Sequence, residues 1–303
     1  MKQEVKQKFS QLLGMQGVYI EEPMCRHTTF RIGGPADYFL IPESYGQIRE
    51  ILDICREENL PYFILGNGSN LLVSDSGYRG VIIQIYRNMN QIQVEGEKIR
   101  AGAGALLSAI AGAAKNASLT GFEFAGGIPG TIGGAAVMNA GAYGGELKDV
   151  LWEVTVMDRE GEILQIPAKD LKMGYRTSII KQAGYLVLEA VISLKKGDQE
   201  VIGSYMKELG QMRVSKQPLE YPSAGSTFKR PEGYFAGKLI MESGLRGYQV
   251  GGAKVSEKHC GFVINTGDAC AKDVKKLMDD VIERVQEKFG VTLEPEVKFL
   301  GEF

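Results

Sequence analysis

The sequence predicts an α+β protein with a larger N-terminal part and a smaller C-terminal domain. Three observations carry that reading. Short apolar strand runs are interspersed with helical stretches over the first two thirds of the chain. A stretch rich in Pro, Gly and Ser at 216–234 marks a loop and a domain boundary. Beyond it lies one long helix with a continuous apolar stripe.

In chain order, residues 3–19 read as a modest amphipathic helix. Asp37–Ile41 and Tyr62–Leu65 are short apolar strands with a helix over Glu43–Glu57 between them, a strand–helix–strand start. Val81–Tyr86, Gln91–Val94 and Lys98–Ala101 continue as strands, and Leu106–Asn116 is a helix of small residues. The stretch 121–145, mostly glycine and alanine, fits no periodic template. Trp152–Met157 and Ile163–Ile166 flank Arg159-Glu160-Gly161 as a hairpin. Leu186–Leu194 is a strand, Gln199–Val214 a helix, Phe235–Ser243 a short helix and Phe262–Asn265 a strand. In the last helix Val274, Leu277, Met278, Val281, Ile282, Val285 and Phe289 form the stripe, with Asp268 as start signal and Gly290 as stop.

Composition narrows the function classes. A net charge of −2 over 303 residues provides no global field for nucleic acid or membrane. The mixed-charge N-terminus lacks the apolar stretch of a signal peptide, and the run 101–114 is too short and glycine-rich to span a bilayer. Cys25, Cys55, Cys260 and Cys270 show no CxxC spacing, which points to a reduced setting. The expectation is a soluble, cytoplasmic protein without an obligate protein partner. His27 beside Cys25 and His259 beside Cys260 lack the register of a structural zinc site, so no metal is expected.

The 39 glycines exceed the roughly 7% average and cluster in two loops. One is Gly66-Asn67-Gly68-Ser69-Asn70; the other runs Gly126-Gly127-Ile128-Pro129-Gly130-Thr131-Ile132-Gly133-Gly134-Ala135. Glycine lets consecutive amides turn toward one anion, and a diphosphate needs several donors if it is to be buried. Asn67, Ser69, Asn70 and Thr131 would add side-chain donors. Either loop alone reads equally as a tight turn; the pair favours an anion cradle. No G-x-G-x-x-G follows a strand, and Gly233–Lys238 has three residues between its glycines instead of a P-loop's four.

Several motifs resemble, in order along nearly the whole chain, those of the MurB family, the UDP-N-acetylenolpyruvoylglucosamine reductases. They are residues 29–36 (Thr-Phe-Arg-Ile-Gly-Gly-Pro-Ala), the two glycine loops, and 138–144 (Met-Asn-Ala-Gly-Ala-Tyr-Gly). Three more are 174–178 (Gly-Tyr-Arg-Thr-Ser), 225–228 (Gly-Ser-Thr-Phe) and 293–297 (Leu-Glu-Pro-Glu-Val). The resemblance implies a two-lobed FAD-binding domain of the vanillyl-alcohol-oxidase (PCMH) type plus a smaller α+β substrate-binding domain. The expected division is 1–85 and 86–209 for the lobes, 210–290 for the substrate domain, and 291–303 for a C-terminal segment carrying Glu296. The direct run from Leu194 through one helix to Arg213 is similar to the family's shorter form, which lacks a tyrosine-bearing insertion.

The implied reaction is NADPH-dependent, FAD-mediated reduction of UDP-N-acetylglucosamine enolpyruvate to UDP-N-acetylmuramate, a peptidoglycan precursor. NADPH would reduce non-covalent FAD, and flavin N5 would deliver hydride to the vinyl carbon. By resemblance Arg176 would stabilise the resulting enolate, for which a guanidinium's paired donors suit a planar carboxylate. Ser226 would protonate the carbanion, and Glu296 would share charge or a proton with the enolate, partly buried and protonated during that step. Implied cofactor contacts are Arg31, Gly66, Asn67, Gly68, Ser69, Asn70, Gly127, Ile128, Pro129, Gly130, Thr131, Gly133, Gly134, Asn139, Ala140 and Gly141. Implied substrate contacts are Tyr175, Arg213, Lys216 and Lys229. Residues 210–260 hold eight Lys/Arg against four Glu, an excess suited to a diphosphate, although Lys229, Arg230, Lys238 and Lys254 read equally as solvated surface. A flavin oxidase, in which His27 could anchor the flavin covalently, and a non-catalytic sugar-nucleotide sensor are the competing readings.

Overall fold

The computed structural model describes residues 2–303, which divide into two compact units. Among the described residues the first comprises 2–19, 38–67 and 80–213, and the second 20–37, 68–79 and 214–303. The units are therefore interleaved along the chain. Segments 20–37 and 68–79, inside the stretch expected as the first lobe, cluster with the C-terminal residues.

The first unit centres on a five-stranded antiparallel sheet. Its order is Ile163–Pro167, Leu151–Met157, Leu186–Ser193, Lys98–Gly102 and Ile92–Glu95. The expected hairpin is present, with Val154 opposite Ile166 and Val156 opposite Leu164. Tyr62–Leu65 runs parallel to Tyr78–Gln84, Tyr62 pairing with Val81. Helix Tyr45–Glu57 starts at Ser44, whose hydroxyl accepts the Gln47 amide at 3.2 Å, and it buries Ile48, Ile51, Leu52 and Cys55. These residues join Phe9, Val81, Ile83, Ile99, Ile110, Val154 and Leu188 in one core.

Helix Lys2–Leu13 is shorter than the expected 3–19, because the chain turns at Met15–Gly17 and becomes a strand at Val18. The aperiodic 121–145 stretch contains a helix, Ile132–Met138. Two adjacent glycines conceal it from propensity, but Gly133 lets it approach Ala103, where a Cβ would lie 2.8 Å from the alanine Cβ. Strand Leu186–Ser193 leads through Lys195–Lys196 straight into helix Gln199–Lys216.

The second unit has its own core, in which Phe30, Ile32 and Leu72 meet Phe228, Leu239, Val274, Leu277, Val281 and Val285. Its three-stranded antiparallel sheet runs Gln249–Val250, Ala253–Val255, Val263–Asn265. A parallel pair joins Leu71–Val73 to Lys298–Leu300, with Leu72 opposite Phe299. Helix Ala271–Phe289 buries the predicted stripe at Val274, Leu277, Met278, Val281 and Val285, while Ile282 and Phe289 are partly buried against the core. Gly290 ends it in the left-handed conformation, as expected. Its start is Cys270, not Asp268. Asp273 accepts the Cys270 amide at 3.1 Å, and Asp75 accepts the next two amides at 2.7 and 3.0 Å. Among the described residues no helix is long and apolar enough to cross a membrane, and all four cysteines are free thiols.

Candidate active site

In the first unit the two glycine loops meet. Asn67 Nδ2 donates to the Pro129 carbonyl at 2.9 Å, and a Cβ on Gly66 would lie 2.6 Å from Thr131 Oγ1. Thr131, buried, caps helix Ile132–Met138 by accepting the Gly134 amide at 3.4 Å. Ile128 and Gly130 are tied back by turn hydrogen bonds, Ile128 to the Ala125 carbonyl and Gly130 to the Ile128 carbonyl. Among the described residues the amides of Gly66, Asn67 and Gly127 donate to no protein oxygen. Exposed Gly134 meets nothing nearer than Thr131 Oγ1 at 3.7 Å. Donors without acceptors, on loops held together by backbone and side-chain bonds, fit a dinucleotide's diphosphate.

The other half of the first loop belongs to the second unit. Gly68 has φ 63°, and a Cβ there would lie 2.0 Å from the His27 carbonyl oxygen, so only glycine fits. The Gly68 and Ser69 amides likewise find no protein acceptor among the described residues. Asn70 Nδ2 donates to the Glu296 carbonyl at 3.2 Å, and Asn70 O accepts the Lys298 amide at 3.0 Å. Arg31, exposed, sits in a turn closed by its amide on the Thr28 carbonyl, with φ 55°. His27 Nε2 lies 3.0 Å from Glu22 Oε1.

Arg176, in the first unit, occupies a two-residue turn with Tyr175, closed by Gly174 and Thr177 bonding each other at 3.0 and 3.3 Å. Its φ of 55° is a conformation that favours glycine, and its guanidinium lies 5.0 Å from the exposed Tyr175 ring. Asn139 holds this turn. It caps helix Ile132–Met138 at φ 46°, is 1% exposed, and donates from Nδ2 to the Gly174 carbonyl at 3.1 Å and Glu146 Oε2 at 2.9 Å. Asn139 Oδ1 accepts the Lys148 amide at 2.9 Å. The Glu146 carboxyl is held below the usual carboxylate range by its hydrogen bond from Lys148, then by Asn139, with the charges of Lys148 and Arg176 adding to both. Ala140 and Gly141 follow, Ala140 O accepting the Leu147 amide and Gly141 pairing with Glu146. Asn139 thus directs its side chain to protein partners, and no signal in the sequence singled out Glu146.

Arg213 lies against Gly127, where a Cβ would come 3.1 Å from its Cδ. Burial lowers its guanidinium pKa, with Tyr143 acting in the opposite direction.

Ser226 and Glu296 belong to the second unit and lie on neighbouring extended segments. Phe228 bridges Pro295, the Glu296 amide donates to the Thr227 carbonyl at 2.8 Å, and the Lys229 amide donates to the Glu294 carbonyl at 2.8 Å. Ser226 is exposed, and among the described residues its hydroxyl bonds no protein group. Glu296 is 9% exposed. Thr227, 1% exposed, anchors the segment, its amide on the Gly261 carbonyl at 2.8 Å and its Oγ1 accepting the Val263 amide at 2.9 Å. Lys229 pairs with Glu294 at 2.7 Å, and Lys216 is exposed at the end of its helix.

A family model described as "FAD binding domain" matches residues 36–167, and one described as "UDP-N-acetylenolpyruvoylglucosamine reductase, C-terminal domain" matches 217–300. A protein named UDP-N-acetylenolpyruvoylglucosamine reductase, from Lachnoclostridium phytofermentans, is 55% identical over 306 residues, covering 100% of this chain and 99% of that protein. The crystal structure of UDP-N-acetylenolpyruvylglucosamine reductase (MurB) from Thermus caldophilus superposes with a TM-score of 0.81 at 36% identity, covering 94% of this chain and 100% of that one. A variant of Phl p 4, a glucose oxidase, aligns with a TM-score of 0.50 at 14% identity over 64% of this chain and 44% of its own. That last likeness concerns the fold alone.

Proposed function

This chain belongs to the UDP-N-acetylenolpyruvoylglucosamine reductase family, and on that premise we propose that it reduces the enolpyruvyl ether of its UDP-sugar with Arg176, Ser226 and Glu296 as its working groups. The chain is a flavin oxidoreductase of peptidoglycan precursor synthesis that uses FAD. When bound, FAD would supply the redox chemistry, taking up two electrons from NADPH and giving them to the substrate as a hydride. The residues that would hold its diphosphate are Gly66–Ser69 and Gly127–Gly134, where the amides of Gly66, Asn67, Gly68, Ser69 and Gly127 donate to no protein oxygen among the described residues.

Addition of hydride to the terminal carbon leaves negative charge on the adjacent carbon and its carboxylate. Arg176 would neutralise it with two parallel hydrogen bonds, which a rigid turn delivers better than a mobile side chain. Ser226 would then place a proton on the adjacent carbon, completing the lactyl ether. Glu296, 9% exposed, would share the charge or the proton. Arg213 and Lys216 would face the diphosphate, and Tyr175 the sugar nucleotide. Lys229 is engaged with Glu294 and would have to exchange partners to join them.

The observation that carries this reading is the shared ladder of Ser226 and Glu296, built around a fully buried Thr227 that leaves the serine hydroxyl unspent. The test separates the half-reactions: NADPH reduction of the flavin, then anaerobic reoxidation by the UDP-sugar. Loss confined to the second step in Ser226→Ala supports the assignment, and equal loss in both removes it. Rapid reoxidation by air with little consumption of NADPH would favour an oxidase instead.

A further inference from the structure

His259 stands in the loop between strands Ala253–Val255 and Val263–Asn265 and takes no part in the steps above. Its ring is half-buried and edge-on to Phe262, with centroids 5.0 Å apart. Nδ1 accepts the Gly261 amide at 3.1 Å, which leaves the neutral ring's proton on Nε2. Burial lowers the imidazole pKa, so the acceptor is available at neutral pH. The Gly261 peptide is confined on two sides. A Cβ on it would lie 2.9 Å from His259 Cε1, and a Cβ on Gly237 would lie 3.1 Å from the Gly261 nitrogen.

The carbonyl of that same Gly261 accepts the Thr227 amide at 2.8 Å. Ser226 has no side-chain bond of its own within the protein among the described residues, so its backbone is set by Thr227. Proton delivery depends on placement: a displacement of about 1 Å can cost on the order of 10²-fold in rate.

We propose that His259 is a positioning residue for Ser226, acting through Nδ1 on Gly261 and through the Gly261 carbonyl on Thr227. The inference rests on the reading of Ser226 as the proton donor. Asparagine at 259 places an oxygen near the site of Nδ1, whereas glutamine extends its polar atoms toward the site of Nε2. The two variants therefore separate acceptor placement from mere polarity.

The experiment uses FAD-loaded holoenzyme and stopped-flow absorbance of both half-reactions. His259→Gln should slow reoxidation of the reduced flavin by saturating UDP-N-acetylenolpyruvoylglucosamine by about tenfold. Its reduction by NADPH should stay unchanged, and His259→Asn should recover most of the lost rate. In a Ser226→Ala background His259→Gln should add no further loss. Equal behaviour of the Asn and Gln variants, equal slowing of both half-reactions, or a further loss in the double variant would overturn the inference. If the Gln variant does not fold, His259→Phe keeps the ring and its contact with Phe262 without the acceptor and serves in its place. A Ser226→Ala enzyme with wild-type reoxidation defeats the reading of Ser226 itself. A slow Ser226→Ala enzyme beside an unimpaired His259→Gln enzyme defeats only the positioning role.

Discussion

Glu296 donates its amide to the carbonyl of Thr227 at 2.8 Å, and so the acid and the serine preceding Thr227 share one ladder. The two residues are separated by most of the C-terminal domain in sequence, yet their backbones are set against each other by a buried threonine. Any movement of one segment is felt by the other.

Ser226→Ala should slow reoxidation of reduced flavin by the UDP-sugar by about 10³-fold, in the range of lost general-acid catalysis. Reduction by NADPH should be nearly unaffected, because the exposed hydroxyl supports no other group. Rapid-mixing absorbance at the flavin band reads both steps.

Arg176→Lys should reduce the same substrate step by on the order of 10²-fold, since an ammonium cannot reproduce a two-pronged contact with a carboxylate. Folding should be little changed, as the turn's own bonds are made by Gly174 and Thr177. Single-turnover rates beside a thermal melt distinguish the two effects.

Asn139→Ala should destabilise the protein by about 2–3 kcal/mol, because it removes the bonds to the Gly174 carbonyl and Glu146 and leaves the Lys148 amide without its acceptor. Asn139→Gly should recover roughly 1 kcal/mol of that, because glycine adopts the left-handed backbone without strain. Urea denaturation of the three proteins gives the comparison.

Gly66→Ala should weaken FAD retention, since the new methyl group would lie 2.6 Å from Thr131 Oγ1 and force the loops apart. The purified variant should show a lower ratio of flavin to protein absorbance, restored in part by added FAD.

Burial lowers the pKa of His259 from 6.5, so the unfolded chain binds its proton more readily than the folded one. The sign follows: this contribution to stability is full above 6.5 and is lost as pH falls from there through the folded-state value. The melting temperature of the wild type should decline over that acid window more steeply than that of His259→Asn.

Local patterns announced much of the fold. The stripe of helix Ala271–Phe289 and its Gly290 stop were legible because both depend on residues within a turn or two. The hairpin at 151–167 was legible for the same reason. The start of that helix was not, because the carboxylate of Asp75 that accepts its first amides comes from far earlier in the chain. Helix Ile132–Met138 was missed because glycine's entropic cost argues against it, while close packing on Ala103 compensates. The glycine loops could be paired from composition, and they do meet at Asn67 and Pro129. The side-chain amide of Asn139 bonds Gly174, Glu146 and Lys148, partners no spacing rule reveals.

The parallel pairing of Leu71–Val73 with Lys298–Leu300 has a consequence for biosynthesis. A strand made early on the ribosome must wait for nearly the whole remaining polypeptide before its neighbour emerges from the exit tunnel. Until the C-terminal residues emerge, Leu72 and the other apolar residues of 20–37 and 68–79 lack the core that covers them, which makes the nascent chain a natural client for a chaperone. Loss of Lys298–Leu300 would forfeit that closing strand and leave the second unit unsealed.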